Sequence, residues 1–595
     1  MRTFATSLDI PSREFWTRLL LVAMGVLLCA SWLAPNHETP WLSFHLEVLA
    51  ALAGLVLVLL ALIDSNPTSS RISPVSIWLL AIAVIPFLQW SLGHIEYRGD
   101  ALLASAYLAA LGLTVWAGFS APENRRESLC HAVAISMAVS SMASSGIALY
   151  QICRLTDLGV FVMDPDTTGR MGANLGQPNH LATLLMFGLA SVGWLYSQRK
   201  WPAWIAILAA MVLLPGLAAT GSRHPFLGIA LLAVWMFRAK SLRNIGTTRW
   251  LTVGALALWW AASYAMVRAL TVAFSPAAVA ETHRLKAGLR PLLWDQFTSA
   301  IAGAPWGGYG WQGGLTGQAA TAVAKPGLEF SQYAHNLFLD LLVWNGVPLG
   351  LLLIGVIVTW YWRTGRYVRA HQGWFEFSII TIILAHSLVE YPFAYMYFVV
   401  PVGLCIGRLE AARTAFARKC PRWFIWTAWG SMAFVLLLVI DDYLQLAQER
   451  RDLIVWKIRL GGDHPIPVKP NTLVLDQLAA SIEWMAANPV SGMKQDDIDK
   501  QVAVSRRYPT VALLSRTVLV LAMNQQTETA YTELLRLRGL HGDGYYRMAV
   551  NQIRGLATEL QPGLRRFVAE VDARAAQLPP LPELSKELSS HSPDQ

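Results

Sequence analysis

Four short stretches hold residues whose types suit chemistry on a charged ligand. They are "TTGRMGANLGQPNHLA" (Arg170, Asn174, Gln177, Asn179, His180), "ATGSRHPF" (Ser222, Arg223, His224), "THRLKAGLRPLLWDQ" (Arg284, Arg290, Trp294) and "YAHNLFLD" (His335, Asn336, Asp340). A guanidinium is always charged and presents a planar fork of donors, which suits bidentate contact with phosphate. Three or four arginines converging from separate segments therefore point to an anionic ligand, with a diphosphate the natural candidate. For a single arginine the plainer reading is a snorkelling side chain or a lipid-headgroup contact. Arg223 resists that reading, because it occupies a very short loop between two apolar runs where orientation rules disfavour positive charge. His335 can accept a proton from a hydroxyl near neutral pH, although a histidine at a helix start is commonly a structural hydrogen-bonding residue. Asp340 follows five residues later, about 140° around a helix, and is poorly placed to orient that ring. A fifth stretch, "HSLVEYPFAY", carries His386 and Glu390 at i, i+4, so they share a face; we read them as a buried structural pair.

These residues lie at the ends of apolar runs. The chain has 595 residues, 54% hydrophobic and 14% charged, with 25 tryptophans. Apolar runs of bridging length fall near 15–34, 44–63, 75–93, 101–119, 130–152, 179–197, 202–219, 225–240, 250–270, 336–361, 374–390, 393–408 and 423–440. The composition predicts an all-α polytopic membrane protein of about 12–13 transmembrane helices. The first run is too long for a signal-peptide core and is read as a retained span. The net charge of +9 does not indicate nucleic acid, because arginine and lysine gather in alternate loops, as the positive-inside rule requires. That places Arg71, Arg125, Arg199, Arg363 and Arg418 on the cytoplasmic side and all five polar stretches on the outer side. Five scattered cysteines form no CxxC pair and no zinc spacing. "GAPWGGYGWQGG" lies in a long outer loop, 271–335, and lacks the spacing and context of a phosphate-binding loop. "DPD" (Asp164, Asp166) is a weak metal signal and reads as a turn. No metal and no other cofactor is expected.

Residues 1–440 are read as the membrane domain and 441–575 as an outer helical domain resembling tetratricopeptide hairpins. The Pro- and Ser-rich end, 576–595, is read as disordered.

Seven fragments in order carry a resemblance to the bacterial O-antigen ligase and O-oligosaccharyltransferase superfamily, and within it to the pilin glycosylation ligases of PglL type. They are "PFLQWSLGHIEYRGDALLASAYL" (Gln89, Gly93, Asp100), "GIALYQ" (Gln151), "GRMGANLGQPNHLATLLMFGL", "TGSRHPFLG", "RPLLWDQFTSAIAGAPWGGYGWQ", "AHNLFLDLLVWNGVPLG" and "HSLVEYPFAYMYFVVPVGLCIG". Met171 and His224 stand where other residues are common in the family. The resemblance implies a GT-C-like fold and a metal-independent, inverting transfer. A preassembled glycan would pass from undecaprenyl diphosphate to a hydroxyl on the periplasmic side of the bacterial inner membrane. By resemblance, Arg170, Arg223 and Arg290 match family arginines, with Arg284 a competing match for the third; His335 matches an essential histidine; Gln177 and Asn179 match "GQPN"; Asn336 is supporting. The implied partners are the lipid-linked donor and a periplasmic acceptor such as a pilin, for which the outer helical domain would be a docking surface. The alternatives are an O-antigen ligase acting on lipid A core, a polymerase of repeat units, a secondary transporter of an anionic solute and a scaffold. Transport is disfavoured by the absence of a visible repeat and by charges at span ends rather than at the midplane.

Overall fold

The computed structural model describes residues 13–64, 69–153, 159–164, 169–237, 247–274, 290–327, 330–413, 416–459, 470–557, 562–578 and 580–581. The described residues are almost wholly helical. Their one sheet is a short antiparallel ribbon pairing Ser69–Ile72 with Arg418–Pro421.

Each apolar run of the sequence coincides with a helix or a broken helix. Nine of the described helices are long and apolar enough to cross a membrane. Three more, Ala203–Ala219, His224–Phe237 and Trp374–Ser387, have 17, 14 and 14 residues. At 1.5 Å per residue they reach about 21–26 Å, short of a hydrocarbon core of about 30 Å. All three end at the polar cluster described below. The run at 393–408 opens with a single 3-10 turn, Pro392–Ala394, before helix Met396–Arg413. Close packing rests on small residues. A Cβ on Gly118 would lie 2.5 Å from the Leu404 carbonyl oxygen, and one on Gly407 would lie 2.1 Å from that of Val115. Helices Arg98–Ser120 and Met396–Arg413 thus touch backbone to backbone, as small-residue interfaces in membranes allow.

The run at 336–361, read as one uninterrupted span, is broken. Helix Leu337–Ala370 is interrupted at Gly346 (φ 71°, ψ 175°), two residues before Pro348. A break inside a membrane frees backbone groups that need partners. The glycine-rich loop supplies them: Val347 N–H donates to the Pro305 carbonyl at 2.7 Å and Tyr309 N–H to that of Val343 at 2.9 Å. Gln89 Nε2 donates to the Trp344 carbonyl and to Asn345 Oδ1, both at 3.1 Å, and Gln89 Oε1 accepts from Trp311 N–H at 2.8 Å.

Helix Arg422–Arg459 runs without interruption past residue 440. Six helices follow between Asp476 and Arg574 around Leu514, Val518, Leu521, Leu534 and Leu537. They dock onto the membrane domain through a nearly buried ion pair. Arg507 donates from Nε and an Nη to the two oxygens of Asp100 at 2.6 and 2.7 Å. Burial would lower the Arg507 pKa, but Asp100 beside it holds it above the ordinary arginine value. Around this pair, Gly99 N–H donates to Asp476 Oδ1 at 2.8 Å, and Arg98 donates to the Leu473 carbonyl at 2.7 Å. Arg98 is thus a tie between domains.

Removing one partner of a buried pair strands the other charge, at a cost of about 3–5 kcal/mol. Asp100→Ala should therefore lower the unfolding temperature of the purified protein markedly, and Asp100→Ala combined with Arg507→Leu should recover most of the loss in the same thermal scan.

Candidate active site

The five polar stretches meet at one end of the bundle, around a carboxylate that the sequence reading set aside as structural. Glu390 is not on a helix. Trp374–Ser387 ends three residues earlier; the Glu390 N–H still donates to the His386 carbonyl at 2.8 Å, but the two side chains take different partners, His386 joining Thr183 and Glu390 the residues below. Its Oε1 accepts from Arg290 at 2.6 Å and from Asn179 Nδ2 at 2.9 Å. Its Oε2 lies 2.6 Å from His335 Nδ1. The Glu390 side chain is 5% exposed, that of His335 16% and that of Arg290 42%. The cluster thus opens from a buried carboxylate toward two progressively more accessible cations or donors.

His335 has a left-handed backbone, φ 53°, uncommon for a non-glycine residue and costing on the order of 1–3 kcal/mol. Its surroundings impose it. Ala334 N–H donates to Asp340 Oδ1 at 2.8 Å, and the Ala334 carbonyl accepts from Trp294 Nε1 at 2.9 Å. Asn336 caps the following helix, its Oδ1 accepting from Phe338 and Leu339 N–H. Asp340 and Trp294 therefore aim the histidine through its backbone, and Asn336 serves as a cap, not as a contact of the cluster. With Nδ1 held by Glu390, His335 Nε2 has no partner among the described residues. Tyr391 packs edge-on against the ring at 5.1 Å.

Arg170 extends the cluster. Its Nε donates to the Thr220 carbonyl at 2.9 Å, and an Nη donates to Asn179 Oδ1 at 2.9 Å and Ser222 Oγ at 3.1 Å. Asn179 therefore bridges Arg170 to Glu390. The loop carrying Arg170 is anchored by Gln151, which accepts from Ala173 N–H at 3.0 Å, and by Asn174, which donates to the Leu33 carbonyl at 2.7 Å. Gln177 opens helix Pro178–Ser197 with a buried Oε1 that lacks a partner among the described residues. Arg223 follows Ser222 in the turn between two helices; it is exposed, and its side chain makes no hydrogen bond or ion pair among the described residues. Arg284 lies outside the described residues, as does Asp166. Behind the cluster, Thr183 Oγ1 joins His224 Nε2 at 3.1 Å and His386 Nδ1 at 2.7 Å. His180 pairs with the Tyr397 hydroxyl at 2.9 Å. These three histidines form a buried polar underlayer.

Glu390 and Thr220 are the contributors that pattern reading missed as site residues. For Glu390 a signal existed: an ionisable residue in an apolar run is costly and seldom idle.

An apolar cavity of about 800 Å³ adjoins the cluster. Leu337, Ser387 and Pro392 line it near the cluster, Trp78, Leu108 and Ile357 line its length, and Arg363 and Arg413 stand at the far end.

A buried carboxylate holding a guanidinium and an imidazole beside an apolar groove, in a polytopic helical protein, is a candidate site for an anionic ligand with an apolar part. Residues 208–355 match the O-Antigen ligase family, residues 172–196 the Protein glycosylation ligase family, and residues 374–554 the C-terminal part of the Virulence factor membrane-bound polymerase family. A General O-oligosaccharyltransferase of Acinetobacter baylyi is 26% identical over 556 residues, covering 91% of this chain and 96% of the relative. A ComP-specific O-oligosaccharyltransferase of the same organism is 26% identical over 395 residues, 65% of this chain and 71% of the relative. The chain is a glycosyltransferase that resembles the O-antigen ligase and O-oligosaccharyltransferase superfamily.

Glu390→Gln keeps the shape of the side chain but removes the charge that Arg290 and His335 contact. Glycan transfer should fall about 10²- to 10⁴-fold, the range lost with a disabled general base, while circular dichroism and gel-filtration behaviour stay parental.

Proposed function

We propose that the protein moves a preassembled glycan en bloc from undecaprenyl diphosphate to serine or threonine hydroxyls of periplasmic, pilin-type proteins. The observation that carries this reading is the Glu390–His335 contact. A carboxylate accepting from Nδ1–H leaves the Nε2 lone pair free and stabilises the imidazolium that forms when Nε2 takes a proton. His335 is thus the general base. The acceptor oxygen attacks the anomeric carbon as its proton passes to Nε2, the bond from that carbon to the phosphate oxygen breaks, and lipid diphosphate leaves with the electron pair. A single displacement inverts the anomeric configuration.

Charge grows on the diphosphate as that bond breaks, so fixed cations there lower the barrier. Arg170 and Arg290 are held in place by Asn179, Ser222 and Glu390, and exposed Arg223 completes the set by engaging the ligand. Arg284, outside the described residues, remains a candidate fourth. Gln177 and Asn179 support the same end of the site. In this reading Asn179 and Glu390 are what keep two arginines near each other before the donor arrives. The apolar groove suits the polyprenyl tail, since it starts beside Leu337, two residues after His335, and is lined by aliphatic and aromatic side chains. The positive-inside rule puts the arginine-rich loops in the cytoplasm, which orients the site and the helical domain toward the periplasm of the inner membrane.

The curated relatives are named as O-oligosaccharyltransferases, which favours a protein acceptor. The match of residues 208–355 to the O-Antigen ligase family keeps lipid A core as the second reading. Incubation of purified enzyme with lipid-linked glycan and either pilin or rough lipopolysaccharide decides between them: glycosylated pilin is the expected product, and transfer solely to lipopolysaccharide would overturn the assignment.

His335→Ala should reduce transfer about 10²- to 10⁴-fold, and Arg223→Ala about 10²- to 10³-fold, with membrane insertion intact; parental rates in either variant would refute its role. Because the arginines take the place that a metal fills in other transferases, excess EDTA should leave the rate unchanged, and restoration of an EDTA-lost rate by a divalent cation would count against the scheme.

A further inference from the structure

The stretch "GAPWGGYGWQGG" repairs the helix break at Gly346, but its far side has no part in that repair. There it forms one wall of a second cavity, of about 560 Å³, whose other walls are residues 93–96 with Asp100 and the helical domain. That volume is typical of sites for small molecules. The loop wall is rigid. Gly308 and Gly310 adopt φ of 67° and 85°, and between them Tyr309 is tied to Val343. Gln312 itself sits at φ 62°, a conformation a glutamine keeps only where its surroundings enforce it. Its side-chain amide lines the cavity and has no hydrogen bond among the described residues.

The opposite wall is a chain of amides and carboxylate. Gln526 Nε2 donates to Gln495 Oε1 at 2.8 Å, and Gln495 Nε2 donates to Asp499 Oδ1 at 2.8 Å. This leaves Gln526 Oε1 and the second Asp499 oxygen as acceptors without partners among the described residues. The two guanidiniums nearby are engaged, Arg507 by Asp100 and Arg506 by Glu533 at 3.5 Å. With those cations committed to carboxylates, the cavity is poorly equipped for a phosphate. What it offers is amide, hydroxyl, carboxylate, indole and the His94 imidazole, a set that matches neutral sugar hydroxyls, each of which both donates and accepts. A folded acceptor needs on the order of 800 Å² of surface per partner, which a cavity of this size does not present.

Trp311 and Gln312 line both this cavity and the apolar groove. A ligand whose tail lies in the groove therefore has the cavity within reach of its polar part. We infer that the cleft between the glycine-rich loop and the helical domain binds the distal sugars of the donor glycan, an inference that rests on the donor assignment above.

The test uses the purified full-length chain and two lipid diphosphate donors, one carrying the complete oligosaccharide and one a single sugar. Gln495→Ala combined with Gln526→Ala, both at the domain surface, should raise KM for the complete donor about 10-fold, the equivalent of one or two hydrogen bonds, with kcat within about twofold. With the single-sugar donor the KM ratio of variant to parent should fall to near one. An equal rise for both donors, no rise, or a rise confined to the acceptor peptide would each overturn the assignment. Calorimetry with free oligosaccharide released from the donor provides the second arm: the parent should bind and the double variant should bind at least about fivefold more weakly. Parent and variant binding alike would sink the cleft. If the parent transferred neither donor, the catalytic reading would fall, and calorimetry would still decide whether the cleft holds sugar.

Discussion

The cluster depends on one buried carboxylate. A charged glutamate at the end of a helical bundle is tolerated only when its oxygens are fully engaged by donors and an opposing charge. Glu390 meets that demand with a guanidinium, an amide and an imidazole delivered by three separate segments. Once these three contacts exist, much of the surrounding chain has little freedom. Asn179 must open its helix at that level, Arg290 must start the helix that follows the undescribed part of the long loop, and the backbone at His335 must enter the left-handed region to turn its ring inward. The short helices have the same origin: each stops at the cluster, where a further turn would occupy the space of the polar side chains.

Hydrogen-bond accounting also explains the glycine-rich loop. A helix broken within a membrane exposes carbonyl and amide groups that lipid cannot satisfy. The loop enters the break, where a Cβ on Gly346 would lie 2.6 Å from the Trp306 carbonyl oxygen, so only glycine permits the approach. The break shortens the lead helix to the nine residues between Leu337 and Asn345, and this short segment carries Asp340, the brace of the His335 loop. Break, loop and His335 therefore form one mechanical unit, with Gln89 joining it to a neighbouring helix.

Helix positions were legible in the sequence because lipid imposes a strict length and apolarity on anything that crosses it. The gathering of Arg170, Arg290 and His335 was legible for a related reason: once the basic loops are assigned to one side, the remaining polar span ends share the other. Glu390 was misread because local spacing pairs it with His386, whereas its partners Asn179, Arg290 and His335 lie 211, 100 and 55 residues away in the chain. The break at Gly346 was hidden in the same way, since "VWNGVPLG" is apolar throughout and helical composition does not distinguish a straight span from one mended by a distant loop. The partner of Asp100 could not be read at all: Arg507 is more than 400 residues away, and local pattern carries no information about such contacts.

The docking of the helical domain bears on how an acceptor is chosen. A domain that swings to collect its partner is joined by a flexible connection and a weak, polar interface. Here a continuous helix, Arg422–Arg459, leads out of the membrane region, and a bidentate ion pair with little exposure fixes the far side. Arg536 adds a contact from its Nε to the Ala319 carbonyl at 2.7 Å, so the domain also grips the long loop. Surfaces fixed in this way cannot deliver an acceptor by moving as a body. Under the proposed docking of a protein acceptor on this domain, selectivity would reside in the shape and charge of a stationary rim, and substitutions that loosen Asp100 and Arg507 would disturb acceptor position and stability together.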